Sequence, residues 1–181
     1  MKSYHFFLCI YFILIISGCG KSSEPSAKTS PFHSLEVYFN NEIKTLEHSK
    51  RLLRKQIQTN EKSEELVISN PDWKKELSIF TSCISGKKLT ESSFQRDSIK
   101  TGDYYKIQYT GIDDHVEIKS LVVYQAHTTP DSIVIITKVD NMYYRTLDTL
   151  IYLGNGNYRI SALNEPSLGK NIRFVLTGRS E

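Results

Sequence analysis

The stretch that decides the fold is SIVIITKV-DN-MYYRTLDTLIYL-GNG-NYRISAL, residues 132–163. Polar and apolar residues alternate along it. Successive side chains of a strand point to opposite faces of a sheet, so the alternation predicts three strands. The breakers at 140–141 and 154–156 are long enough only for tight reversals, which join antiparallel neighbours. The centre of the chain therefore predicts an up-and-down antiparallel sheet.

The same alternation continues on both sides of this stretch. It predicts about six strands in all, at residues 104–110, 116–126, 132–139, 142–153, 157–163 and 172–179. Ile133 and Ile135 fall on one side of the predicted sheet, whereas Lys138, Arg159 and Arg173 fall on the other. We therefore expect one apolar side, covered by helices, and one side that is more polar and basic.

The helices are expected before the strands. One stripe with helical spacing predicts a long amphipathic helix that begins at Pro31, and its members are Phe32, Leu35, Phe39, Ile43, Leu46 and Leu53. Residues 56–69 are ambiguous and fit a short hairpin about 60–63. A second helix is predicted from Pro71 to Gly86, with the stripe Trp73, Leu77, Phe80 and Ile84. Because Trp73 lies on that stripe, we interpret it as a core residue rather than a ligand-stacking one.

These elements predict an α+β fold. Two N-terminal helices should pack on one face of a curved antiparallel β-meander of about six strands. The folded part should be a single domain at residues 32–181.

The N-terminus has a different character. Residues 6–16, FFLCIYFILII, form an apolar run that is shorter than the roughly 20 residues of a spanning helix and fits a secretory signal. Ile16-Ser17-Gly18-Cys19 follows, and it resembles the lipobox of bacterial lipoproteins. The resemblance implies cleavage between Gly18 and Cys19 and lipid attachment to the Cys19 thiol. Residues 1–18 would then be a signal peptide, and the polar residues 19–31 would be a flexible tether.

A second resemblance lies in the predicted second helix. Asp72-Trp73-Lys74-Lys75-Glu76-Leu77, followed by Phe80, is similar to a helix of a group of small uncharacterised lipoproteins of Gram-negative bacteria. That resemblance implies a strand-rich second half and carries no activity. In the lipoproteins that the lipobox resembles, Asp after the cysteine favours the inner membrane. Gly20 at that position therefore implies the outer membrane, and we expect the domain to face the periplasm.

Composition and motifs limit the function. With 181 residues, 39% hydrophobic residues and a net charge of +3, the chain is neither disordered nor a multi-span membrane protein. The near balance of charge makes nucleic acid an unexpected partner.

There is no Gly-x-Ser-x-Gly or His-Glu-x-x-His motif, so we expect no enzyme activity and no cofactor or metal. Asp113-Asp114-His115 could hold a metal, but we expect a solvated turn. Cys83 fits a buried apolar role.

Tyrosine is abundant, with 11 residues. Sheet packing explains it, and a binding face is the alternative because Tyr and Arg are enriched at interfaces. The candidate binding residues are Tyr144, Tyr152, Arg159 and Arg173.

Two functions stay open. The first is a non-catalytic binding or assembly module that presents this sheet to an envelope protein, without a deep pocket. The second is a carrier or sensor of a hydrophobic ligand, which predicts a cavity lined by residues such as Phe39, Trp73, Ile135 and Phe174.

Overall fold

The computed structural model describes residues 31–85 and 91–181. In chain order these residues form α1 (Pro31–His48), β1 (Leu53–Thr59), β2 (Ser63–Ile68), α2 (Trp73–Glu76), α3 (Ser78–Ser85), a 3-10 turn (Glu91–Ser93), β3 (Phe94–Thr101), β4 (Tyr104–Gly111), β5 (Ile118–Gln125), β6 (Pro130–Asp140), β7 (Tyr144–Tyr152), β8 (Tyr158–Pro166) and β9 (Ile172–Ser180). Among the described residues, no helix is long and apolar enough to cross a membrane.

All nine of these strands belong to one antiparallel sheet in the order β2-β1-β9-β8-β7-β6-β5-β4-β3. Strands β3 to β9 follow one another as neighbours, which makes a meander. The β1–β2 hairpin adds beside β9, where Leu53 lies opposite Ser180 and Thr59 lies opposite Phe174. Among the described strands, β2 and β3 are therefore the two edges, and they do not pair with each other.

The predicted fold class is wrong. The described chain is mostly one nine-stranded sheet with three short helices, not two N-terminal helices on a six-stranded meander. The six segments predicted as strands overlap β4 to β9, and the hairpin considered for 56–69 is β1–β2. Strand β3 was missed. Seven of its eight residues are exposed, so it lacks the polar–apolar alternation of a half-buried strand.

Both predicted helices are shorter than expected. Helix α1 ends at His48, and Lys50 adopts a left-handed backbone (φ 50°) that turns the chain. Leu53, which continues the helical spacing, instead begins β1. The second predicted helix is broken at Leu77 into α2 and α3, and Asp72 caps α2 by accepting the N–H of Lys75 at 3.0 Å.

The helices all pack on the same side of the sheet. Phe32 of α1 lies against Phe94 of β3, with ring centroids 5.1 Å apart. Further along α1, Phe39 contacts Tyr152 of β7 (5.1 Å) and stacks on Phe80 of α3 (5.6 Å). Trp73 is 1% exposed within the same core, which confirms its assignment as a core residue.

We call the opposite side of the sheet the open face. Around β7, β8 and β9 its residues are Leu147, Thr149, Arg159, Ser161, Leu163, Arg173 and Val175. No described helix lies on it, and Arg159 and Arg173 are exposed there. The open face is therefore the uncovered side of the sheet.

Candidate functional site

A cleft of about 680 Å³ lies beside α1. One wall is a flank of the helix, the other is the helix-facing side of β4 and β5, and residues 128–130 close one end. The lining residues are Ser34, Leu35, Val37, Tyr38, Asn41, Glu42, Thr45, Ile107, Tyr109, Val123, Gln125, Thr128, Thr129 and Pro130. We call this cavity the α1 cleft.

The cleft exists because α1 has two adjacent stripes. Phe32, Leu35 and Phe39 belong to the stripe that is buried in the core. A second stripe, offset around the helix, includes Val37 and Thr45 and faces β4 and β5 across the cleft. Val37 is 46% exposed although it is apolar. This flank of the helix is therefore a mixed surface, in which Val37 and Tyr38 lie beside polar residues such as Asn41 and Thr45, and the rest of the described chain leaves it accessible.

One end of the α1 cleft is polar. Glu42 Oε2 accepts hydrogen bonds from the Tyr152 hydroxyl and from the backbone N–H of Asn155, the latter at 3.1 Å. The Tyr152 hydroxyl in turn accepts the backbone N–H of Gly156 at 3.1 Å. These bonds fix the Glu42 side chain against the β7–β8 turn. Burial, followed by the hydrogen bond to Glu42, raises the pKa of Tyr152.

Tyr38 lies beside this carboxylate. Burial, followed by the charges of Glu42 and Asp131, raises the pKa of the Tyr38 phenol well above its ordinary value. The phenol therefore stays protonated at neutral pH. Its ring packs edge-on against Phe39 and Tyr152. Tyr38 thus offers a fixed hydroxyl and an aromatic surface to whatever occupies the cleft.

A second tyrosine–glutamate pair has a structural role. The Tyr158 hydroxyl donates to Glu76 Oε2 at 2.7 Å, and Lys55 Nζ lies 2.8 Å from the same oxygen. The Lys55 and Glu76 side chains are only 18% and 14% exposed. Burial, followed by the hydrogen bond to Glu76, raises the pKa of Tyr158. This cluster joins α2 to β1 and β8.

The four candidate binding residues do not form one surface. Arg159 and Arg173 share the open face and line a shallow depression of about 370 Å³ with Leu147 and Val175. Tyr152 is 0% exposed and lies on the helix-covered side, in the core. By alternation Tyr144 points to that same side of β7, at the end far from Tyr152, and it is 41% exposed. The structure therefore brings the two arginines together and separates them from both tyrosines.

The cavity does not have the lining expected from the sequence. Phe39, Trp73 and Ile135 are buried in the core and do not line the cleft. Phe174 does not line the cleft either. Sequence reasoning missed Tyr38 and Glu42. One pattern in the sequence could have indicated them. The apolar stripe of α1 is wider than a single core-facing side requires, because Val37 and Tyr38 lie next to it.

Other sequence candidates have structural explanations. Asp113 accepts the backbone N–H of His115 at 2.9 Å, which confirms the turn. In the described part of the chain, no group of three His, Cys, Asp or Glu side chains is placed to hold a metal ion. Cys83 packs against the core, and burial, followed by the charges of Asp148 and Glu117, raises the pKa of its thiol. Gly18 and Cys19 lie outside the described residues.

Comparison with known proteins gives no relative. No family model, no curated protein and no solved structure matches the chain.

Proposed function

We propose that this chain is a lipid-anchored protein of the Gram-negative cell envelope that binds a partly apolar ligand in the α1 cleft. The cleft is the observation that carries the proposal. Its volume of about 680 Å³ lies in the range of small-molecule sites, roughly 300–1,000 Å³. Apolar residues from two elements, such as Val37 of α1 and Ile107 of β4, line it together with polar side chains.

The anchor is the second part of the proposal and comes from the sequence. The lipobox Ile16-Ser17-Gly18-Cys19 and the polar residues 19–31 would hold the domain near the bilayer. A position facing the periplasm of the outer membrane would give the cleft access to envelope lipids and other amphiphiles. The role is therefore that of a carrier or sensor, with no chemical step assigned to it.

The test compares two matched tryptophan variants of the purified protein. Val37 lines the cleft and is 46% exposed, whereas Val67 lies on the edge strand β2 and is 48% exposed. The neutral probe N-phenyl-1-naphthylamine should bind the wild type saturably, with a fluorescence increase. Val37→Trp should weaken this binding by about tenfold or more, equivalent to about 1.4 kcal/mol. Val67→Trp should leave it unchanged, and equal binding by both variants would refute the proposal.

The open face favours a second candidate, a module that presents its sheet to an envelope protein. Three depressions on that face share Arg173, which lies beside Val175 in one and beside Leu163 in another. An arginine next to accessible apolar residues is typical of protein interfaces. Crosslinking in cells from position 173 should then trap one specific protein, and position 142 on the exposed β6–β7 turn provides the control.

A further inference from the structure

The α1 cleft has an asymmetric charge. Glu42 is its one acidic lining residue, and none of the described residues that line it is basic. Asp131 directly follows the lining residue Pro130, and its charge is felt by Tyr38. Arg96 donates to the hydroxyl of Tyr109 at 3.3 Å, but it is not itself in the lining. The Glu42 end of the cleft is therefore electronegative.

The Glu42 end also has unused hydrogen-bonding capacity. Both bonds to Glu42 are made by Oε2. Within the described residues, neither Oε1 of Glu42 nor the hydroxyl of Tyr38 has a hydrogen-bond partner. Both side chains line the cleft. Two oxygen atoms that can accept hydrogen bonds therefore stand at the same end of a cavity whose lining mixes apolar and polar side chains.

Two aromatic side chains of the lining also favour a positively charged ligand. Tyr38 and Tyr109 both belong to the lining. The face of a tyrosine ring attracts cations through its quadrupole. The Tyr38 ring is held in place by edge-on contacts with Phe39 and Tyr152. A cation at the Glu42 end would therefore lie close to a carboxylate and to the aromatic side chain of Tyr38.

We infer that the α1 cleft selects amphiphiles with a cationic amine head group. This inference rests on the proposed function and names the class of its ligand. The amine donates to Glu42 Oε1 and to the Tyr38 hydroxyl. The apolar part lies along Val37 and Ile107. The lining residues of α1 run from Ser34 to Thr45, which is roughly 16 Å at 1.5 Å per residue. An anionic head group is disfavoured because it would face Glu42 with no lining cation to pair with it.

The test uses three probes that differ only in the head group. Octylamine, octan-1-ol and octanoate are titrated calorimetrically into the purified protein at pH 7, the alcohol below its solubility limit and the two charged probes below their micelle-forming concentrations. The amine is protonated and the acid is ionised at this pH, as for lysine and glutamate side chains. The wild type should bind octylamine about tenfold or more tightly than octan-1-ol, the range of one charge-assisted hydrogen bond. Octanoate should bind most weakly.

Two glutamate variants locate the preference. Glu42→Gln keeps an acceptor for Tyr152 and Asn155 but removes the charge. It should bind octylamine and octan-1-ol within about twofold of each other, with octan-1-ol affinity retained. Glu47→Gln, on the same helix, changes an exposed residue outside the lining and should keep the wild-type preference.

The outcomes separate the two proposals. If the wild type binds octan-1-ol or octanoate as tightly as octylamine, or if Glu42→Gln keeps the preference for the amine, the head-group inference is overturned. The proposed function then still stands on the loss of neutral-probe binding in Val37→Trp. If Val37→Trp binds the neutral probe like the wild type, the cleft itself is not the site and both proposals fail.

Discussion

The hydroxyl of Tyr152 gives the sharpest test of how α1 is joined to the sheet. Tyr152→Phe keeps the buried ring and its contacts with Phe39 and Phe80, at 5.1 and 5.6 Å between centroids. The burial of apolar surface is therefore unchanged. What is removed is one oxygen atom that donates to Glu42 and accepts from Gly156.

The expected magnitude follows from those two bonds. A hydrogen bond to a charged group contributes about 1.5–3 kcal/mol, and a buried N–H left without a partner costs about 1–3 kcal/mol. Gly156 is buried, so its N–H is left without a partner in the variant. Asn155 continues to donate to Glu42, so the carboxylate is not left unpaired. We expect the free energy of unfolding to fall by about 3 kcal/mol.

Tyr109→Phe is the matched control. Tyr109 is also buried, but its hydroxyl has one recorded bond, accepted from Arg96 at 3.3 Å. The donor is a charged guanidinium, but 3.3 Å is long for an N–H···O hydrogen bond, and Arg96 is exposed, so water replaces the lost partner. This loss should therefore cost about 1 kcal/mol or less. Urea unfolding with linear extrapolation measures both variants, and equal m values show that the surface exposed on unfolding is unchanged. Equal destabilisation of the two variants would contradict the hydrogen-bond network of Glu42.

Three further predictions concern pH, packing and the anchor. Burial raises the pKa values of Tyr38, Tyr152 and Tyr158 in the folded protein. As the pH rises, the unfolded chain therefore loses these protons before the folded protein does. The free energy of unfolding should then fall as the pH rises above about 10. Denaturant titrations across that range should show the fall, and a flat profile would contradict it. Gly178→Ala places a methyl group 2.4 Å from two ring atoms of Tyr158. It should lower the free energy of unfolding by about 1–3 kcal/mol, which is measured as a lower melting temperature. An unchanged melting temperature would show that the Tyr158 ring can move aside. Cys19→Ser should leave the precursor without lipid and release the protein from membranes, measured by fractionation and intact mass, whereas normal membrane retention would remove the basis for the anchor.

The sequence predicts the middle of the sheet better than its edges. Strands β5 to β8 are covered by helices on one side only, so burial imposes the alternation that makes them recognisable. Strand β3 is an edge strand with Ile99 59% exposed, and β2 exposes Leu66 and Val67. Residues exposed on both faces of a strand lose that alternation. The count of about six strands was therefore too low at both edges.

The helix errors have a different cause. Leu46 and Leu53 are seven residues apart, a spacing that fits two turns of a helix, yet Leu53 enters the core from β1. Periodicity reports that a residue is buried but not which element buries it. The end of α1 is set by the left-handed turn at Lys50, and neither Gly nor Asn is present there to indicate it.

The α1 cleft was beyond the reach of sequence patterns. Its walls come from α1 and from β4 and β5, segments about 70 residues apart in the chain. Their separation depends on how α1 crosses the sheet, which is fixed by contacts such as that between Phe32 and Phe94. Local periodicity carries no information on such a distance. In the sequence Glu42 looks like any polar residue on the solvent side of an amphipathic helix.

The two oxygen atoms of Glu42 connect the fold to the proposed binding. Oε2 is held by Tyr152 and Asn155, so the orientation of the carboxylate is set by the folded structure before a ligand arrives. A group that is already oriented loses little conformational entropy on binding, and the affinity gained from Oε1 is correspondingly larger. The same argument makes Tyr152→Phe informative for ligand binding. That variant removes one of the two hydrogen bonds that orient the carboxylate and changes no charge in the cleft, so it should weaken octylamine binding while leaving octan-1-ol binding in place.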